Sequence, residues 1–371
     1  MNKRIVYIVN VDWFFISHRI PLALEAIKRG YEVFLVTKNT GKFGELSELG
    51  INCIEVNFER SGTNPFKELT LIFKLRAIYK RLQPYILHHV TLKPSIYGTI
   101  AARNISSNPK VINAVSGLGY SFTNNRKSLS KLFLVTLLKF AFKNKSANFI
   151  FQNPDDRDLY KKFEFLTKKN HIIIKGSGVD ENVFGYSLPL KNDVISIIFL
   201  GRILKDKGVL EFINAANILK KRYYGKVKFT LVGSIDVENP THITREALEA
   251  LCDQDYIIWN GFSTNVKQCY QQADIVCLPS YREGLPKSLI EAMAIGRPII
   301  TTNTIGCREC VENGINGYLV PVKSVNKLAE CMEVLILNKN LRLAMGLRSR
   351  EKMVNEMSLS YVVAETFRFY E

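Results

Sequence analysis

The sequence predicts two doubly wound α/β domains, each a parallel sheet covered by helices on both faces. Its 371 residues exceed one ordinary domain and are enough for two. Short β-rich runs alternate with amphipathic helical stretches along the whole chain, which is typical of βαβ units. One segment rich in Gly, Pro, Asn and Ser, 175–193, interrupts this alternation. We therefore expect domains at 1–175 and 176–355, and a C-terminal helical segment at 356–371 that crosses back to the first domain.

In the first half, short apolar runs predict strands and 3.6-residue apolar spacing predicts the helices between them. The predicted strands are Arg4–Val9, Glu32–Thr37, Cys53–Asn57, Tyr85–His89, Lys110–Val115, Asn148–Gln152 and Ile172–Lys175. The predicted helices are Arg19–Arg29, Phe66–Leu82, Pro94–Arg103, Ser128–Lys145 and Asp155–Phe163. Runs bounded by turn residues and followed by helical spacing indicate a buried parallel sheet.

The second half repeats this rhythm. Its predicted strands are Ile195–Gly201, Val227–Val232, Ile257–Asn260, Ile275–Pro279 and Pro298–Thr302. Its predicted helices are Val209–Arg222, Thr241–Cys252, Asn265–Gln271, Pro286–Ile295, Val325–Leu335, Leu341–Met353 and Ser360–Tyr370. Two such domains place a ligand at the carboxyl ends of their strands, so we expect a binding cleft between them.

Positive charge is concentrated in the first half. Residues 1–175 hold 28 Lys and Arg against 12 Asp and Glu, whereas residues 176–371 hold 23 against 22. No acidic residue occurs between Glu68 and Asp155. One-sided basicity favours nucleic acid, an anionic bilayer or a phosphorylated substrate as partner, and lysines on a solvated surface are the alternative.

The composition also bears on the compartment. Seven cysteines at irregular spacing do not form a disulfide framework and fit a reducing environment. The N-terminal apolar run Ile5–Val9 is too short for the core of a signal peptide, and no stretch approaches the roughly 20 apolar residues of a membrane span. We expect a soluble or peripheral cytoplasmic protein.

Two cations follow the first strand of the second half. Arg202 and Lys207 are expected at the carboxyl edge of the sheet, beside the N-terminus of the next helix, which attracts anions. Two fixed cations there suit a diphosphate, and an ordinary basic turn is the alternative.

Two glutamates flank the start of a later helix. Glu283 precedes Gly284, Leu285 and Pro286, and we expect Pro286 in the first helical turn and Glu291 eight residues after Glu283. Eight helical residues span about 12 Å, which lets one carboxylate reach each end of a sugar nucleotide while the amides between them face its phosphates. The alternative is an amphipathic helix with a solvent-facing Glu.

Glycines follow several strands of the second half. Gly233 and Gly261 each come just after a strand, where the backbone can approach a flat ring closely, although ordinary turns have the same pattern. Asp253-Gln-Asp255 has the spacing of a metal-binding pair but falls in a turn, and Cys307-Arg-Glu-Cys310 lacks a second pair or a nearby His. We therefore expect no metal site.

The segment Glu283–Glu291, with Arg202 and Lys207 before it and the turn 313–317 after it, resembles the signature of glycosyltransferase family 4. The resemblance implies retaining, metal-independent enzymes of the GT-B fold, in which two Rossmann-like domains face each other across a cleft. Segments of the rest of the chain are similar to bacterial enzymes of polysaccharide and glycan assembly, α-1,3-N-acetylgalactosaminyltransferases among them. Those segments are 60–66, 92–98, 116–119, 176–180 and 233–240.

The resemblance implies a role for each motif residue. Glu283 would bind hydroxyls of the donor sugar and Glu291 those of the ribose, while Arg202 and Lys207 would hold the diphosphate. Gly233, Gly261, Gly284, Leu285 and Pro286 would complete the donor site. The acceptor-side candidates in the first domain are His18, Arg19, His89, Lys93, Ser116 and Gly117, and His88 is a further histidine of the cleft.

The chain departs from the family pattern at two places in the first domain. Where many members have a Gly-rich loop after the first strand, this chain has Asn10–Phe15 without glycine. Where a catalytic-side His often follows the fifth strand, it has Ser116. These departures weaken the case for a first-domain His as acid or base.

The implied reaction moves a sugar, expected to be an N-acetylhexosamine, from a UDP-sugar to a glycan on undecaprenyl diphosphate. The resemblance also implies that the enzyme needs no cofactor and binds no nucleic acid. It implies a peripheral protein on the inner face of the cell membrane, with the basic first domain in contact with anionic lipid. The stretch 127–145 is the candidate interfacial helix, and a buried helix with surface lysines is its alternative. A UDP-sugar epimerase of the same fold and a basic nucleic-acid-binding protein are the rival functions, although no recognition helix or RNA-binding motif is present.

Overall fold

The computed structural model describes residues 3–58, 65–115, 129–143, 147–190 and 192–371. The chain forms two compact units: unit 1 consists of Met1–Ser177 and Val362–Glu371, and unit 2 of Gly178–Tyr361. The first division thus falls two residues after the boundary expected from the sequence. Residues 356–361, expected in a separate segment, belong to unit 2.

Unit 1 contains, in its described part, a sheet of seven parallel strands. These are β1 (Arg4–Val11), β2 (Glu32–Lys38), β3 (Asn52–Glu55), β4 (Ile86–Val90), β5 (Lys110–Val115), β6 (Asn148–Phe151) and β7 (His171–Ile173). Their spatial order is β3-β2-β1-β4-β5-β6-β7. The chain starts at the centre and winds outward in both directions, which confirms the doubly wound prediction.

Helices cover both faces of this sheet. They are α1 (Asp12–His18), α2 (Ile20–Lys28), α3 (Phe43–Glu48), α4 (Pro65–Leu82), α5 (Leu92–Ala101), α6 (Leu129–Phe142), α7 (Pro154–Lys162) and α15 (Leu359–Tyr370), which belongs to unit 1 from Val362 on. Leu75 of α4, Ile96 of α5 and Leu138 of α6 pack on one face. On the other face, Phe367 and Tyr370 of α15 join the core around Tyr7. The apolar spacing of each helix is therefore used for packing.

Unit 2 has the same winding, with six parallel strands. They are β8 (Ile195–Leu200), β9 (Val227–Val232), β10 (Ile257–Trp259), β11 (Ile275–Leu278), β12 (Ile299–Thr302) and β13 (Gly317–Val320), in the order β10-β9-β8-β11-β12-β13. The helices are α8 (Val209–Tyr223), α9 (Arg245–Leu251), α10 (Val266–Gln271), α11 (Lys287–Ile295), α12 (Cys307–Cys310), α13 (Val325–Leu337) and α14 (Lys339–Met357). One continuous apolar core joins them to the sheet.

Several short elements differ from the sequence prediction. The helices α3 and α12 were not expected, because six and four residues carry too little periodicity to be recognised. The helix α9 begins at Arg245 instead of 241 because Thr241 and His242 donate their backbone N–H groups to Asn239 and form a turn. None of the described helices combines the length and apolarity that a membrane crossing requires.

Candidate active site

The candidate residues of unit 2 lie in loops at one edge of its sheet. Gly201 and Arg202 follow β8, Gly233 follows β9, Gly261 comes two residues after β10, and the loop 279–286 follows β11. Because all these strands are parallel, their carboxyl ends meet at the same edge, where open α/β sheets bind ligands.

The glycines after β8, β9 and β10 hold three of these loops together. Gly233 donates its N–H to the carbonyl of Gly261 at 2.7 Å, and a Cβ on Gly233 would lie 1.8 Å from the carbonyl oxygen of Gly201. Any side chain at Gly233 would therefore push the first two loops apart. Beside them a cavity of about 540 Å³ is lined by residues that include Trp259, Gly261 and Phe262. Charged Arg245 and Glu246 also line this cavity, and the Arg245 guanidinium lies 4.9 Å from the centroid of the Trp259 ring.

The turn after β8 carries Lys207 into contact with Glu283. Lys207 ends a short 3₁₀ turn, and Gly208 follows with φ +78°, in the left-handed region. A Cβ on Gly208 would lie 2.2 Å from the carbonyl oxygen of Pro279, so only glycine lets this turn pack against the loop after β11. The Lys207 ammonium forms an ion pair with Glu283 Oε1, and the side chains are 18% and 12% exposed.

A second glycine supports the Glu283 loop from the other side. Gly306 has φ +81°, and a Cβ there would lie 2.3 Å from the carbonyl oxygen of Gly284. The Glu283 N–H points to the Ile305 carbonyl oxygen at 3.4 Å. The carboxylate of Glu283 is therefore presented by a loop that is braced by the turns after β8 and β12.

Arg202 has a different partner. Its Nη1 donates to Asp236 Oδ2 at 2.7 Å, and its side chain is 55% exposed. Asp236 lies in the loop after β9, so this pair ties two loops of the ligand edge together. Because it is exposed to solvent, the pair contributes little stability and leaves Arg202 available to an incoming anion.

The helix α11 begins one residue later than predicted. Pro286 is its N-cap, with extended dihedral angles of −74° and 111°, and does not stand in the first turn. From Leu289 to Ile295 every residue is buried, Glu291 included at 9% exposure. Burial raises the pKa of the Glu291 carboxyl, although Lys287 and the Tyr270 hydroxyl act in the opposite direction. Glu291 is thus not the solvent-facing Glu of an ordinary amphipathic helix.

The structure therefore brings Lys207 and Glu283 into direct contact and gives Arg202 and Glu291 partners of their own. The sequence did not predict that Asp236, Tyr270 and Gly306 belong to this site. Each of them contacts a candidate residue that is more than 20 positions away in the chain. A motif of consecutive residues contains no signal for such contacts.

Two acceptor-side candidates of unit 1 are buried. Arg19 is 5% exposed and donates to the His18 carbonyl oxygen at 2.9 Å. His89 is fully buried, with Nδ1 2.9 Å from Asn113 Oδ1 and Nε2 3.1 Å from the Tyr79 hydroxyl. Burial lowers the pKa of His89 to about 4, so its ring is neutral near pH 7. The burial of Arg19 and His89 argues against direct contact of either residue with an acceptor. For His89 there is a second reason, because both of its ring nitrogens already have hydrogen-bond partners.

The remaining candidates of unit 1 divide into two groups. His18 is half-buried and stacks on Phe14 at 4.1 Å between ring centroids, and Lys93 forms an ion pair with Glu68 at 2.9 Å. Ser116 and Gly117 lie outside the described residues. His88 is buried, with Nδ1 2.6 Å from the Tyr370 hydroxyl, and burial lowers its pKa. We therefore keep His18 and Lys93 as acceptor-side candidates within the described chain.

A buried aspartate follows β1, at the place where many family members have a Gly-rich loop. The strand passes directly into α1 at Asp12, whose carboxylate accepts hydrogen bonds from the backbone N–H groups of Trp13, Thr40 and Lys42 and from the Thr40 hydroxyl. Burial alone would raise the pKa of Asp12, but these hydrogen bonds outweigh it and lower the pKa. The Asp12 carboxylate therefore fixes the turn at this edge of the sheet.

The possible metal ligands lie in two different places of unit 2, since Asp253 follows α9 and Cys307 begins α12. Asp253 pairs with Lys220, and its other carboxylate oxygen accepts the N–H groups of Tyr256 and Ile257, which makes it a turn residue. Cys307 and Cys310 are buried. Among the described residues, no group of three His, Cys, Asp or Glu side chains has the arrangement of a metal site.

Two family models match the chain in consecutive segments. Residues 4–153 match the family described as "Glycosyl transferase 4-like", and residues 186–352 match "Glycosyl transferases group 1". The second match contains every donor-site candidate, from Arg202 to Glu291.

Two relatives cover nearly the whole chain. The N,N'-diacetylbacillosaminyl-diphospho-undecaprenol alpha-1,3-N-acetylgalactosaminyltransferase of Campylobacter jejuni is 28% identical over 341 residues, which is 88% of this chain and 87% of that protein. The capsular polysaccharide biosynthesis glycosyltransferase CapM of Staphylococcus aureus is 27% identical and covers 100% of this chain and 97% of its own length.

Solved structures share the fold. A glycosyltransferase from Rickettsia africae superposes with a TM-score of 0.80 at 21% identity, covering 100% of this chain and 98% of its own. HepE of Anabaena, solved in complex with UDP, superposes with a TM-score of 0.77 at 16% identity over 99% and 98% of the two chains. The two family matches identify the chain as a glycosyltransferase, and its two doubly wound units have the GT-B fold of the superposed structures.

Proposed function

We propose that this glycosyltransferase moves a sugar, an N-acetylhexosamine, from a UDP-sugar to a glycan carried on a lipid diphosphate, with retention of anomeric configuration. The names of the relatives support the acceptor, because the Campylobacter enzyme acts on a diphospho-undecaprenol glycan. The UDP in the HepE complex supports the nucleotide.

The contact between Lys207 and Glu283 is the observation that carries the proposal. It joins a fixed cation and a fixed carboxylate at the carboxyl edge of a parallel sheet, beside the start of α8. The donor diphosphate would take the ammonium of Lys207, and the carboxylate that this releases would accept hydrogen bonds from hydroxyls of the donor sugar. The two residues therefore bind adjacent parts of one substrate.

The remaining donor groups follow from this orientation. Arg202, exposed and held by Asp236, is placed to join Lys207 on the diphosphate. Glu291 would accept hydrogen bonds from the ribose hydroxyls, and the cavity beside Gly261 would hold the base. Binding of the leaving group by two side-chain cations stabilises the negative charge that grows as the glycosidic bond breaks.

The acceptor hydroxyl would attack from the face that the leaving diphosphate occupies, and the β-phosphate would take its proton. Under this proposal the protein supplies orientation and positive charge, and no side chain acts as covalent nucleophile. We propose that Arg202 and Lys207 do the work that a divalent cation does in metal-dependent transferases.

The face of unit 1 that carries α4 and α6 would rest on anionic lipid. Leu69 and Phe73 of α4 and Leu132 and Phe140 of α6 are 51%, 61%, 66% and 53% exposed. Both helices pack on α5, and each also exposes a basic side chain, Lys74 in α4 and Lys139 in α6. Part of α6 is buried, Leu138 included, so only its exposed side would face the lipid. Each basic side chain near such a surface contributes about 1 kcal/mol.

The donor part of the proposal is tested by thermal unfolding with UDP-sugars and, for comparison, GDP-sugars. A ligand at 100 times its dissociation constant stabilises the protein by about 2.7 kcal/mol. We expect UDP-N-acetylhexosamines to raise the melting temperature, and to yield an α-linked product with a synthetic lipid-diphosphate N-acetylhexosamine. Stabilisation by GDP-sugars alone, or a β-linked product, would contradict the proposal.

The membrane part has its own test. Phe73→Ser with Leu132→Ser should weaken co-sedimentation with vesicles that contain phosphatidylglycerol. Leu337→Ser, which changes a 71% exposed leucine of unit 2, is the matched control and should leave it unchanged. Equal binding by both variants would remove this surface from the proposal.

A further inference from the structure

Tyr270 of α10 is completely buried and places its hydroxyl between two groups of α11. The hydroxyl shares its one proton between the Ser288 carbonyl oxygen at 2.8 Å and Glu291 Oε2 at 3.3 Å, as a bifurcated hydrogen bond. A phenylalanine would fill the same space without a polar group. A buried hydroxyl is costly unless it is hydrogen-bonded, so these two contacts are what make tyrosine acceptable here.

The other end of Tyr270 is also fixed. Its backbone carbonyl accepts a hydrogen bond from Nε of Arg297 at 2.9 Å, and Arg297 is fully buried. The same guanidinium binds the carbonyl oxygens of Gln271 and Ser187. Tyr270 is therefore held at its backbone and at its hydroxyl, and it cannot turn away from Glu291 without breaking buried hydrogen bonds.

This arrangement leaves the two oxygens of Glu291 unequal. Oε2 is engaged by Tyr270, while Oε1 lies 4.0 Å from the Lys287 ammonium, beyond hydrogen-bond distance. The side chain is 12% exposed, so the carboxylate has little room to rotate. A ligand that approaches Glu291 therefore meets one defined edge of the carboxylate.

We propose that Tyr270 is a positioning residue that orients Glu291 so that Oε1 accepts the ribose hydroxyls of the nucleotide. This inference rests on the proposed function, in which Glu291 binds ribose. Tyr270 touches no substrate itself and acts only through the carboxylate. Its removal should therefore weaken contacts to the ribose and leave contacts to the base and the diphosphate unchanged.

The test compares two nucleotides in one variant. Tyr270→Phe should bind UDP about three- to ten-fold more weakly, the range expected for loss of one hydrogen bond. Its affinity for 2′,3′-dideoxy-UDP should be unchanged. With a UDP-sugar, KM should rise and kcat at saturation should stay the same, because ribose contacts exist in both the ground state and the transition state.

Tyr256→Phe is the matched control. Tyr256 is another buried tyrosine of unit 2, and its hydroxyl has no hydrogen-bond partner within the described chain. It directly precedes β10, at the amino edge of the sheet and away from the ligand edge. This variant should bind both nucleotides as the wild type does.

The outcomes separate this inference from the proposed function. If Glu291→Gln binds UDP normally, the ribose role of Glu291 is wrong. If Glu291→Gln weakens UDP binding and Tyr270→Phe does not, Glu291 binds ribose without Tyr270 and the inference is overturned. A destabilised Tyr270→Phe would lose affinity for both nucleotides equally, and that result also overturns it, because the ratio of the two dissociation constants is the measured quantity.

Discussion

Replacing Lys207 by Met would leave Glu283 without its cation. The two side chains are 18% and 12% exposed, so the pair is largely, but not fully, removed from water. Breaking a fully buried pair costs about 3–5 kcal/mol, and an exposed pair contributes less than about 1 kcal/mol, so this partly shielded pair should cost about 2–3 kcal/mol. Most of that cost is the desolvated charge of Glu283.

The double variant Lys207→Met with Glu283→Gln tests where the cost arises. With both charges gone, no buried charge remains unpaired, so thermal unfolding should show the double variant more stable than Lys207→Met alone. Glu283→Gln alone should be the milder single change, because a lysine on its long stem can reach solvent. A Lys207→Met protein as stable as the wild type would refute the electrostatic reasoning.

Turnover should not follow stability in this set. Losing one cation at the leaving diphosphate should lower kcat about 10²- to 10³-fold, by comparison with loss of one oxyanion-hole donor. Because the double variant also lacks that cation, its turnover should stay low while its melting temperature recovers. If turnover recovered with stability, Lys207 would serve only to hold Glu283, and the proposed role in diphosphate binding would be wrong.

Two further predictions concern Gly208 and His89, and a third concerns metal removal. Gly208→Ala should destabilise the protein by more than about 2 kcal/mol and abolish transfer, because the new Cβ would lie 2.2 Å from the Pro279 carbonyl oxygen. The control Gly225→Ala, at φ +74° with open space around it, should cost only about 1 kcal/mol. Equal melting temperatures of the two variants would contradict this. Burial lowers the pKa of His89 to about 4, so the unfolded chain binds a proton there more readily than the folded protein does, and the free energy of unfolding should fall as the pH drops from about 6.5 to about 4. The difference in this free energy between the wild type and His89→Gln should shrink over that range. A constant difference would refute the assignment. Transfer should persist in EDTA, and loss of activity that manganese restores would contradict the role given to the side-chain cations.

The sequence predicted the sheets of both units because periodicity reports burial. The strands β8, β9 and β11 begin where the β-rich runs begin and end within one residue of the predicted positions, since each is buried and followed by a glycine or a proline. The helix α1 was missed because Asp12, which reads as the polar end of a strand, is buried and accepts four hydrogen bonds from its own and a neighbouring loop. That role depends on Thr40 and Lys42, about 30 residues away.

The same limit applied at the candidate site. The sequence singled out Lys207 and Glu283 separately but gave no sign that residues 76 positions apart form an ion pair. It placed His89 and Arg19 on the acceptor side because of their residue types, whereas the structure buries both. Chemical type is visible in a motif, and burial of an isolated polar residue is decided by tertiary packing.

The contribution of α15 to unit 1 limits how such enzymes can be recombined. Phe367 and Tyr370 belong to the core around Tyr7, and Tyr370 contacts His88, so residues 1–177 do not contain the complete core of their own unit. A chimera joined only at residue 177 would pack a foreign sheet against a helix selected for another one. Exchange of unit 1 between relatives therefore requires two junctions, at about 177 and 362, with both segments taken from the same parent.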